Sequence, residues 1–486
     1  MKNITEVPPY PSYLHMHYHP GRLGFLAKAR GLAPPPVDKC RLLDIGCGDG
    51  TSLLTFGFGL PDARFTGVDL DADLIANGTR AACDLGLSNV ELRALDATRI
   101  GAEFGQFDYI AAHGFYSWVP HEVREKLWDV LSERLAPNGL VYISFNAYPG
   151  CHFREASRKF LQFHLRNADS APEIMREAES MLRFVSAGDP EDHLYRRLIQ
   201  EEAEAMLDRK IEQLFFDELS PFYFPFYLNE FLERASQAGF EYVSESSWAE
   251  MSALPFPPRM RQAMEAIPDW PKRMQYRDFF GGCRFHRVVL CRKGAGLSEI
   301  DANAIDGTYV TGEIDCAGTT PDGLAEFRGG RGAELRTKDP VAVAALSMLA
   351  AKRPAPVAFG ELLRAGLAVA GPDASADDCK RRLCATLRQL ADFDAATFSL
   401  HAPPAKAEAG ERPVASPIAR RQLQTGRDAF SLFGATVEIQ DAQDRALIAA
   451  LDGGRDRIAL AEQIGLDADD LERRLAYFAR NGFLVA

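Results

Sequence analysis

Short apolar runs alternate with segments of helical spacing through the first part of the chain. Residues 42–45 form one such run, and ARFTGVD, VELRA, FDYIAA and GLVYISFN follow as similar stretches. Apolar runs of this length, bounded by turn residues and separated by helical patterns, indicate parallel strands joined by crossover helices. The pattern therefore predicts an α/β fold with a doubly wound, Rossmann-like sheet, whose first part covers residues 1–153.

The sheet is predicted to continue after an interruption. Apolar residues at helical spacing in FYLNEFLERASQAG precede the strand-like FEYVS, and RFHRVVLCRK forms another strand pattern, so residues 220–293 complete the core. Two insertions follow from this assignment. Residues 154–219 are charged and helical in pattern, and residues 248–283 are rich in Pro, Met and aromatic residues. We expect either insertion to cover an acceptor pocket or to form a subunit contact.

The C-terminal region contains an apparent repeat of three helical patterns followed by a strand. Residues 339–401 and 418–486 each fit a winged-helix-like α+β unit, with a linker over 294–338 and a flexible, Pro- and Ala-rich linker over 402–417. From Ile418 onward there are nine Arg and no Lys against eleven acidic residues. That balance opposes phosphate contacts, so we expect no nucleic-acid binding and favour a protein-contact role.

A glycine-rich turn follows the first strand. Asp44, Gly46, Gly48 and Gly50 are followed by Thr51, where a dinucleotide fingerprint would have its third glycine. The motif therefore favours S-adenosylmethionine (SAM) over NAD as the cofactor. Glycines let the backbone approach a ligand, and the Asp44 carboxylate can orient the loop or attract the ammonium group of SAM.

Acidic residues end the next two strands. Asp69 lies roughly 20 residues beyond the loop, where doubly wound folds place a carboxylate on ribose hydroxyls. Asp96 follows the third strand and is a candidate acceptor for the adenine amino group. Each is also open to interpretation as a solvated turn residue.

Aromatic and polar residues follow the fourth and fifth strands. His113, Tyr116, Trp118, Asn146 and Tyr148 are predicted to meet at the carboxyl edge of the sheet, near the transferable methyl group. A sulfonium donor needs an acceptor held in line and away from water, and aromatic faces favour this arrangement. Aromatic residues at strand ends are also common in cores, so a purely structural role for each of the five stays open.

Metal-binding patterns are weak. His15, His17 and His19 alternate, but no acidic or cysteine residue lies near them in sequence, and the nine cysteines form no CxxC pair. We therefore predict no metal site. The segment His19-Pro20-x-Arg22 is instead a candidate lid over the SAM site.

Charge and hydropathy limit the partners. The net charge of −13 suits a basic or neutral partner, and no run approaches the roughly 18 apolar residues of a membrane span. The first residues also lack a signal-peptide pattern. We expect a cytoplasmic protein without membrane insertion.

Several longer motifs carry a resemblance to a known family. LLDIGCGDGTSLL, FTGVDLD, HGFYSWVP, FNAYPG, LFFDELSPFYFPFYLNEF and RDFFGGCRFHRVVLCRK resemble bacterial methyltransferases with a methyltransferase regulatory domain, among them rickettsial lysine methyltransferases of outer-membrane proteins. The resemblance implies a class I SAM-dependent fold, a helical insertion that pairs subunits into a homodimer, and a protein substrate. It further implies that Asp44 and the loop glycines hold the methionine end of SAM, that Asp69 holds its ribose, and that His113 and residues 117–119 line the channel. The extra histidines of YLHMHYHPGRL depart from the family pattern.

Three functions are compatible with the sequence. The favoured one is methylation of a protein, in particular at lysine nitrogen. A methyltransferase acting on a small molecule or glycan is the alternative, and a SAM-sensing protein without catalysis is the third. The complete glycine loop and the aromatic strand ends argue against the third.

Overall fold

Seven strands form the central sheet of the protein, which the computed structural model describes over residues 10–188, 193–371, 374–424, 426 and 428–486. These strands are β1 (Arg41–Ile45), β2 (Arg64–Asp69), β3 (Val90–Ala94), β4 (Phe107–Ala112), β5 (Leu135–Asn146), β6 (Phe240–Glu245) and β7 (Phe285–Arg292). Their order is β3-β2-β1-β4-β5-β7-β6. The first five are parallel, and β7 runs antiparallel to both of its neighbours. The predicted doubly wound α/β sheet is confirmed.

Helices connect the strands and form the two insertions. They are α1 (Pro20–Ala29), α2 (Thr51–Gly59), α3 (Ala72–Asp84), α4 (His121–Arg134), α5 (Cys151–His164), α6 (Ala171–Ser186), α7 (Leu194–Leu207), α8 (Leu214–Asp217), α9 (Leu228–Gln237), α10 (Pro258–Glu265) and α11 (Trp270–Gly281). Local capping fixes several of their ends. The Asp71 carboxylate accepts hydrogen bonds from two backbone N–H groups of α3, and α11 ends at Gly282 in the left-handed conformation.

The first insertion has a hydrophobic core of its own. Helices α5 to α8 pack around Leu161, Ile174, Leu182, Met206 and Leu214. The expected helical character of residues 154–219 agrees with these elements, while residues 189–192 of that range lie outside the described residues.

Residues 294–338, expected to be a linker, instead form strands. They contain β8 (Tyr309–Gly312), β9 (Ile314–Thr319), β10 (Ala325–Gly329) and β11 (Glu334–Thr337), of which the last three make an antiparallel sheet. The linker assignment was wrong because these strands are short and contain few buried apolar side chains. These are Val310, Ile314, Phe327 and Leu335, which is too few for a clear alternating pattern.

Two small units complete the chain. The first contains α12 (Pro340–Lys352), β12 (Val357–Ala358), α13 (Phe359–Val369), α14 (Ala376–Asp392) and β13 (Ala396–Ser399), with β8 pairing between β12 and β13. The second contains α15 (Pro417–Gln422), β14 (Asp428–Phe430), β15 (Thr436–Glu438), α16 (Ala442–Ala450), α17 (Arg457–Ile464) and α18 (Ala468–Arg480). The likeness to winged helices stays a prediction.

The segment 402–417, expected to be a flexible linker, is fixed to the second unit by backbone hydrogen bonds. Lys406 N–H donates to the Leu484 carbonyl, Val414 N–H to Ala486 and Ala415 N–H to Leu451. Low apolar content does not reveal such contacts, because backbone groups of any residue type can make them. The segment is therefore part of the second unit.

The two C-terminal units differ in how they relate to the central sheet. One continuous hydrophobic cluster includes both the sheet and the first unit, and the rings of Phe25, Trp248 and Phe398 join them at centroid separations of 4.9 to 6.3 Å. The second unit has a separate cluster that includes Leu475 and Phe478. Over the described ranges, no helix combines the length and apolar character that a membrane span requires.

We predict that Phe398→Ala and Phe478→Ala act on different unfolding transitions. All four tryptophans precede residue 402, so their fluorescence reports on the larger core alone. Removing the Phe398 ring should lower the stability seen by tryptophan fluorescence in urea by about 3–5 kcal/mol. Phe478→Ala should leave that midpoint unchanged while it shifts part of the helical signal in circular dichroism. Equal shifts of the fluorescence midpoint in both variants would contradict two separate cores.

Candidate cofactor and acceptor site

The glycine loop joins β1 to α2 and places backbone N–H groups at the carboxyl edge of the sheet. Gly46, Gly48 and Gly50 all have positive φ, between 58° and 78°. A Cβ on Gly50 would lie 2.7 Å from Leu92, whereas one on Gly48 would meet nothing within 4 Å. Gly48 therefore borders open space, which suits the approach of a ligand to the loop.

Asp69 ends β2 and is directly connected to this loop. One carboxylate oxygen accepts a hydrogen bond of 2.8 Å from Gly48 N–H, and the other accepts one of 2.9 Å from Asp71 N–H. The carboxylate thus holds the loop in shape while standing at the strand end where ribose hydroxyls bind in this fold class. The structure brings Asp69 and the loop together as expected.

Asp96 follows β3 and caps a short 3₁₀ turn. Its Oδ1 atom accepts hydrogen bonds from both the backbone N–H and the hydroxyl of Thr98, and these bonds lower the pKa of the carboxyl group. The side chain therefore has a local structural role in addition to the adenine contact predicted for it.

Asp44 lies buried at the end of β1, 2% exposed, beneath the loop. Burial raises the pKa of its carboxyl group to about 7, and a hydrogen bond of 2.8 Å from the Tyr18 hydroxyl opposes that rise. A buried carboxylate that has a single side-chain donor retains capacity to accept bonds from a cationic ligand. This fits the ammonium group of SAM.

The amino-terminal arm covers the loop from the other side. His15 N–H donates to the Ser52 hydroxyl, Ser12 donates to the Asp49 carboxylate, and the His15 ring lies 3.9 Å from the ring of His113. Burial lowers the pKa of His15 to about 4, so this ring is neutral at physiological pH. The arm therefore presents neutral aromatic groups to the cofactor side of the sheet.

The segment His19-Pro20-x-Arg22 does not form the predicted lid over the SAM site. The His19 ring caps α1 by accepting from Gly21 N–H, and the Arg22 guanidinium donates to the Ser246 carbonyl. Both side chains are thus engaged in the core, and residues 12–18 cover the loop instead. Helix α1 begins at Pro20, directly after this arm.

His113 follows β4 and contacts both the arm and the sheet. Its Nδ1 atom shares a hydrogen bond of 2.8 Å with the Tyr142 hydroxyl, and burial holds its pKa well below the usual value. His113 is therefore a neutral, fixed ring at the strand end predicted to face the cofactor.

Tyr116, predicted to lie near the transferable methyl group as a candidate catalytic residue, is instead buried in the core. It is 3% exposed, packs against Phe226 and Phe231, and its hydroxyl accepts a bond of 3.3 Å from Trp128 Nε1. The ring fills the core between α4 and α9. Ser117, next to it, is also structural, since its hydroxyl accepts from Asn146 N–H.

Trp118 and Asn146 are brought together by an arginine that the sequence did not single out. Arg154 of α5 donates to Asn146 Oδ1 at 3.2 Å, and its guanidinium carbon lies 5.8 Å from the centre of the Trp118 ring. Tyr223 packs against Trp118 at 5.4 Å. Among the described residues, Asn146 Nδ2 has no hydrogen-bond partner although the side chain is buried.

A buried carboxylate, that of Glu218, offsets the positive charge of the arginines close to Trp118 and Asn146. Glu218 is fully buried and accepts from Arg154 and Arg209, while Arg158 lies 3.7 Å from its second oxygen. These residues come from the first insertion, up to 64 positions apart. No local spacing pattern could have indicated them.

Tyr148 belongs to a separate aromatic group. Its hydroxyl donates to Glu155 at 2.6 Å, and its ring stacks on His152 at 4.2 Å and packs at a tilt against Tyr227 at 5.2 Å. Burial and the Glu155 carboxylate raise the pKa of Tyr148, so its hydroxyl stays protonated at neutral pH. The structure brings together Trp118 and Asn146, with Tyr148 on the neighbouring turn.

We predict that Asp69→Ala weakens SAM binding by about 5- to 150-fold, because loss of buried hydrogen bonds costs on the order of 1–3 kcal/mol. Titration calorimetry measures this directly. Asp62→Ala, an exposed aspartate in the turn before β2, is the matched control and should bind normally. Unchanged affinity in the Asp69 variant would remove Asp69 from the site.

We also predict that SAM affinity rises with pH around neutrality. Because the carboxyl group of Asp44 has a pKa of about 7, acid below that value protonates it and removes its attraction for the ammonium group. Affinity should fall by up to about tenfold for each pH unit below the midpoint. Tyr18→Phe removes a bond that favours the charged carboxylate, so its midpoint should move to higher pH.

Asp44→Asn is the control for this pH dependence. The amide cannot titrate, so calorimetry between about pH 6 and about pH 7.5 should give a flat, weak affinity. The nearby rings of His15 and His113 have lowered pKa values and do not change charge in this window. Retention of the full pH dependence in Asp44→Asn would assign it to another group.

Comparison with known proteins agrees with this geometry. A family model described as a methyltransferase domain matches residues 43–141, and one described as a predicted methyltransferase regulatory domain matches residues 210–292. Two uncharacterized proteins of Rickettsia prowazekii are related in sequence. RP789 is 30% identical over 60% of this chain and 52% of its own length, so the chain spans about half of that relative. RP028 is 32% identical over 48% of this chain and 94% of its own length.

Solved structures show the same fold over the whole chain. PKMT2 from Rickettsia typhi superimposes with a TM-score of 0.87 at 24% identity, covering 98% of this chain and 100% of that one. The same protein has been solved in complex with AdoHcy, with a TM-score of 0.86. Because RP028 is matched over nearly its full length and both family models fall on the segments that form the sheet, this chain belongs to the SAM-dependent methyltransferases that carry a methyltransferase regulatory domain.

Proposed function

We propose that this enzyme transfers the methyl group of SAM to the side-chain nitrogen of a lysine in a protein substrate. The similarity to PKMT2, whose abbreviation is that of a protein lysine methyltransferase, supports this substrate class. The net charge of −13 also suits a basic protein segment.

The observation that carries the proposal is the position of Arg154 beside Trp118 and Asn146. Trp118 follows β4 and Asn146 ends β5. Both therefore lie at the carboxyl edge of the sheet, where the glycine loop also lies. An acceptor nitrogen placed against Asn146 therefore has a guanidinium as its neighbour, since Arg154 donates to the Asn146 amide oxygen.

A neighbouring positive charge favours the nucleophilic form of a lysine. The lysine ammonium has no free lone pair and must lose its proton before it attacks the methyl group. Burial opposes the charged form of Arg154, but Glu218 overcomes this and raises its pKa, so the guanidinium stays positive. Repulsion between two cations lowers the pKa of the incoming amine, and the Trp118 and Tyr223 rings add desolvation in the same direction.

The Asn146 amide offers a donor to the substrate. Its oxygen accepts a hydrogen bond from Arg154. Its Nδ2 group, which has no hydrogen-bond partner among the described residues, suits a carbonyl oxygen of the substrate backbone. In this arrangement Asn146 positions the substrate chain while Arg154 acts on the amine.

A transfer assay with tritiated SAM and cell lysate tests the proposal. Label should enter protein and appear as methylated lysine after complete hydrolysis, and the Asp69→Ala enzyme should give little of it. Label confined to small molecules or glycans, or found in a protein residue other than lysine, would overturn the lysine assignment while leaving the methyltransferase activity intact.

We predict that the turnover of wild-type enzyme rises toward alkaline pH and that Arg154→Gln moves this rise to higher pH. Loss of the guanidinium leaves the lysine more strongly protonated, so activity at neutral pH should fall by about tenfold for each pH unit by which the rise is displaced. Glu218 keeps Arg209 as a partner in this variant.

Two further variants serve as controls for the pH profile. Arg154→Lys retains the positive charge and should largely restore the wild-type profile. Arg166→Gln removes an exposed arginine of the same insertion and should change nothing. A lower turnover with an unchanged pH profile in Arg154→Gln would indicate that Arg154 only supports the fold.

A further inference from the structure

A cysteine, a histidine and an aspartate meet at the junction of α11 and β7. His286 Nε2 lies 3.1 Å from Asp278 Oδ2 and 3.7 Å from Cys283 Sγ, and the three ligand-type atoms all lie within 4.8 Å of one another. Zn–N and Zn–S bonds of about 2.1 and 2.3 Å in a tetrahedral site separate such atoms by roughly 3.4 to 3.6 Å. The side chains already have nearly the spacing of a zinc site.

The chain geometry places these side chains without distortion. Helix α11 ends at Gly281, the left-handed Gly282 reverses the chain, and Cys283 N–H donates to the carbonyl of Asp278. The turn thereby brings Cys283 next to Asp278, and β7 begins two residues later and supplies His286. The sequence spacing is Asp-x4-Cys-x2-His.

A second carboxylate orients the histidine. Glu245 of β6 accepts from the His286 Nδ1 atom at 3.0 Å, while the Nε2 atom faces Asp278 and Cys283. Loss of the Nε2 proton would therefore direct a ring lone pair at these two residues. Metal-binding histidines commonly donate their other ring N–H to a carboxylate in this way. Glu245 is itself held by the Tyr242 hydroxyl and by Arg287 N–H.

An ion pair alone does not account for the whole cluster. A charged His286 between Glu245 and Asp278 satisfies one oxygen of each carboxylate, and the Cys283 thiol donates to the Phe285 carbonyl. Among the described residues, however, Asp278 Oδ1 has no hydrogen-bond partner, although the side chain is completely buried. A buried carboxylate oxygen with free lone pairs is available to a cation.

We propose that Asp278, Cys283 and His286 bind a zinc ion. Soft thiolate, imidazole and carboxylate together match the ligand preferences of Zn²⁺, and a water molecule at the partly exposed Cys283 side would complete the coordination. On binding, the Cys283 thiol and the His286 Nε2 atom release their protons to solvent as the Zn–S and Zn–N bonds form, while His286 keeps its Nδ1 proton on the side of Glu245.

The zinc site would stabilise the turn that follows β5, at the carboxyl edge of the sheet. The Cys283 carbonyl accepts from Gly150 N–H, and the Arg284 carbonyl accepts from Ala147 N–H, both at 2.8 Å. These bonds hold the turn that follows Asn146 at the end of β5. An ion fixed to Cys283 and His286 would restrain that turn.

Metal analysis of the full-length, untagged protein tests the proposal. After removal of metal with a chelator, the protein should take up one equivalent of Zn²⁺ by elemental analysis, and its melting temperature should rise. Refilling with Co²⁺ should give a thiolate-to-cobalt charge-transfer band. In Cys283→Ser the band should vanish and the melting temperature should no longer respond to Zn²⁺.

Cys291→Ser on the same strand is the matched control and should keep both the band and the zinc response. Serine at 283 can still donate to the Phe285 carbonyl as Cys283 does, so this variant should fold, and circular dichroism checks that it does. Uptake of much less than one equivalent by folded wild-type protein would overturn the proposal. So would a cobalt band that persists in Cys283→Ser.

Discussion

The parallel pairing of β1 with β2 and β4 is the constraint on which the rest of the molecule depends. Asp44 lies opposite Gly67 of β2 and Ala111 of β4, so three strands end at one level and their following loops meet at one edge. The Gly46 and Cys47 N–H groups both donate to the Val68 carbonyl, which ties the glycine loop to β2. The glycine loop, Asp69 and the side chains that follow β4 are neighbours because the backbone register places their strand ends at one level.

Charge burial is the second theme of the structure. Asp44, Glu218 and His286 are almost inaccessible to solvent, yet each lies beside a partner: the Tyr18 hydroxyl, a group of arginines, and two carboxylates. Removal of one partner from such a group leaves a buried charge that solvent cannot stabilise. The buried ionisable groups of the enzyme therefore lie in three fixed places around the sheet.

The segment matched by the regulatory-domain model, residues 210–292, and the first C-terminal unit share one hydrophobic core with the central sheet. Trp248 packs between Phe25 of α1 and Phe398 of β13, and its indole N–H donates to Asp392 of α14. Since α1 follows directly on the arm that covers the cofactor loop, the first C-terminal unit is mechanically connected to the cofactor site. The second unit touches the rest through surface ion pairs such as Arg421 with Asp84, which are individually weak.

The sequence by itself determined the sheet, the glycine loop, the Asp69 position and the helical insertion, because each depends on local periodicity or on backbone conformations that only glycine adopts readily. Tertiary structure alone decided where the strand-end side chains lie: Tyr116 is in the core, while Trp118 and Asn146 contact Arg154. It also decided that residues 294–338 form strands and that Asp278, Cys283 and His286 converge. These outcomes depend on contacts between residues that are far apart along the chain. Such contacts produce no periodic pattern in the sequence, so the sequence alone does not indicate them.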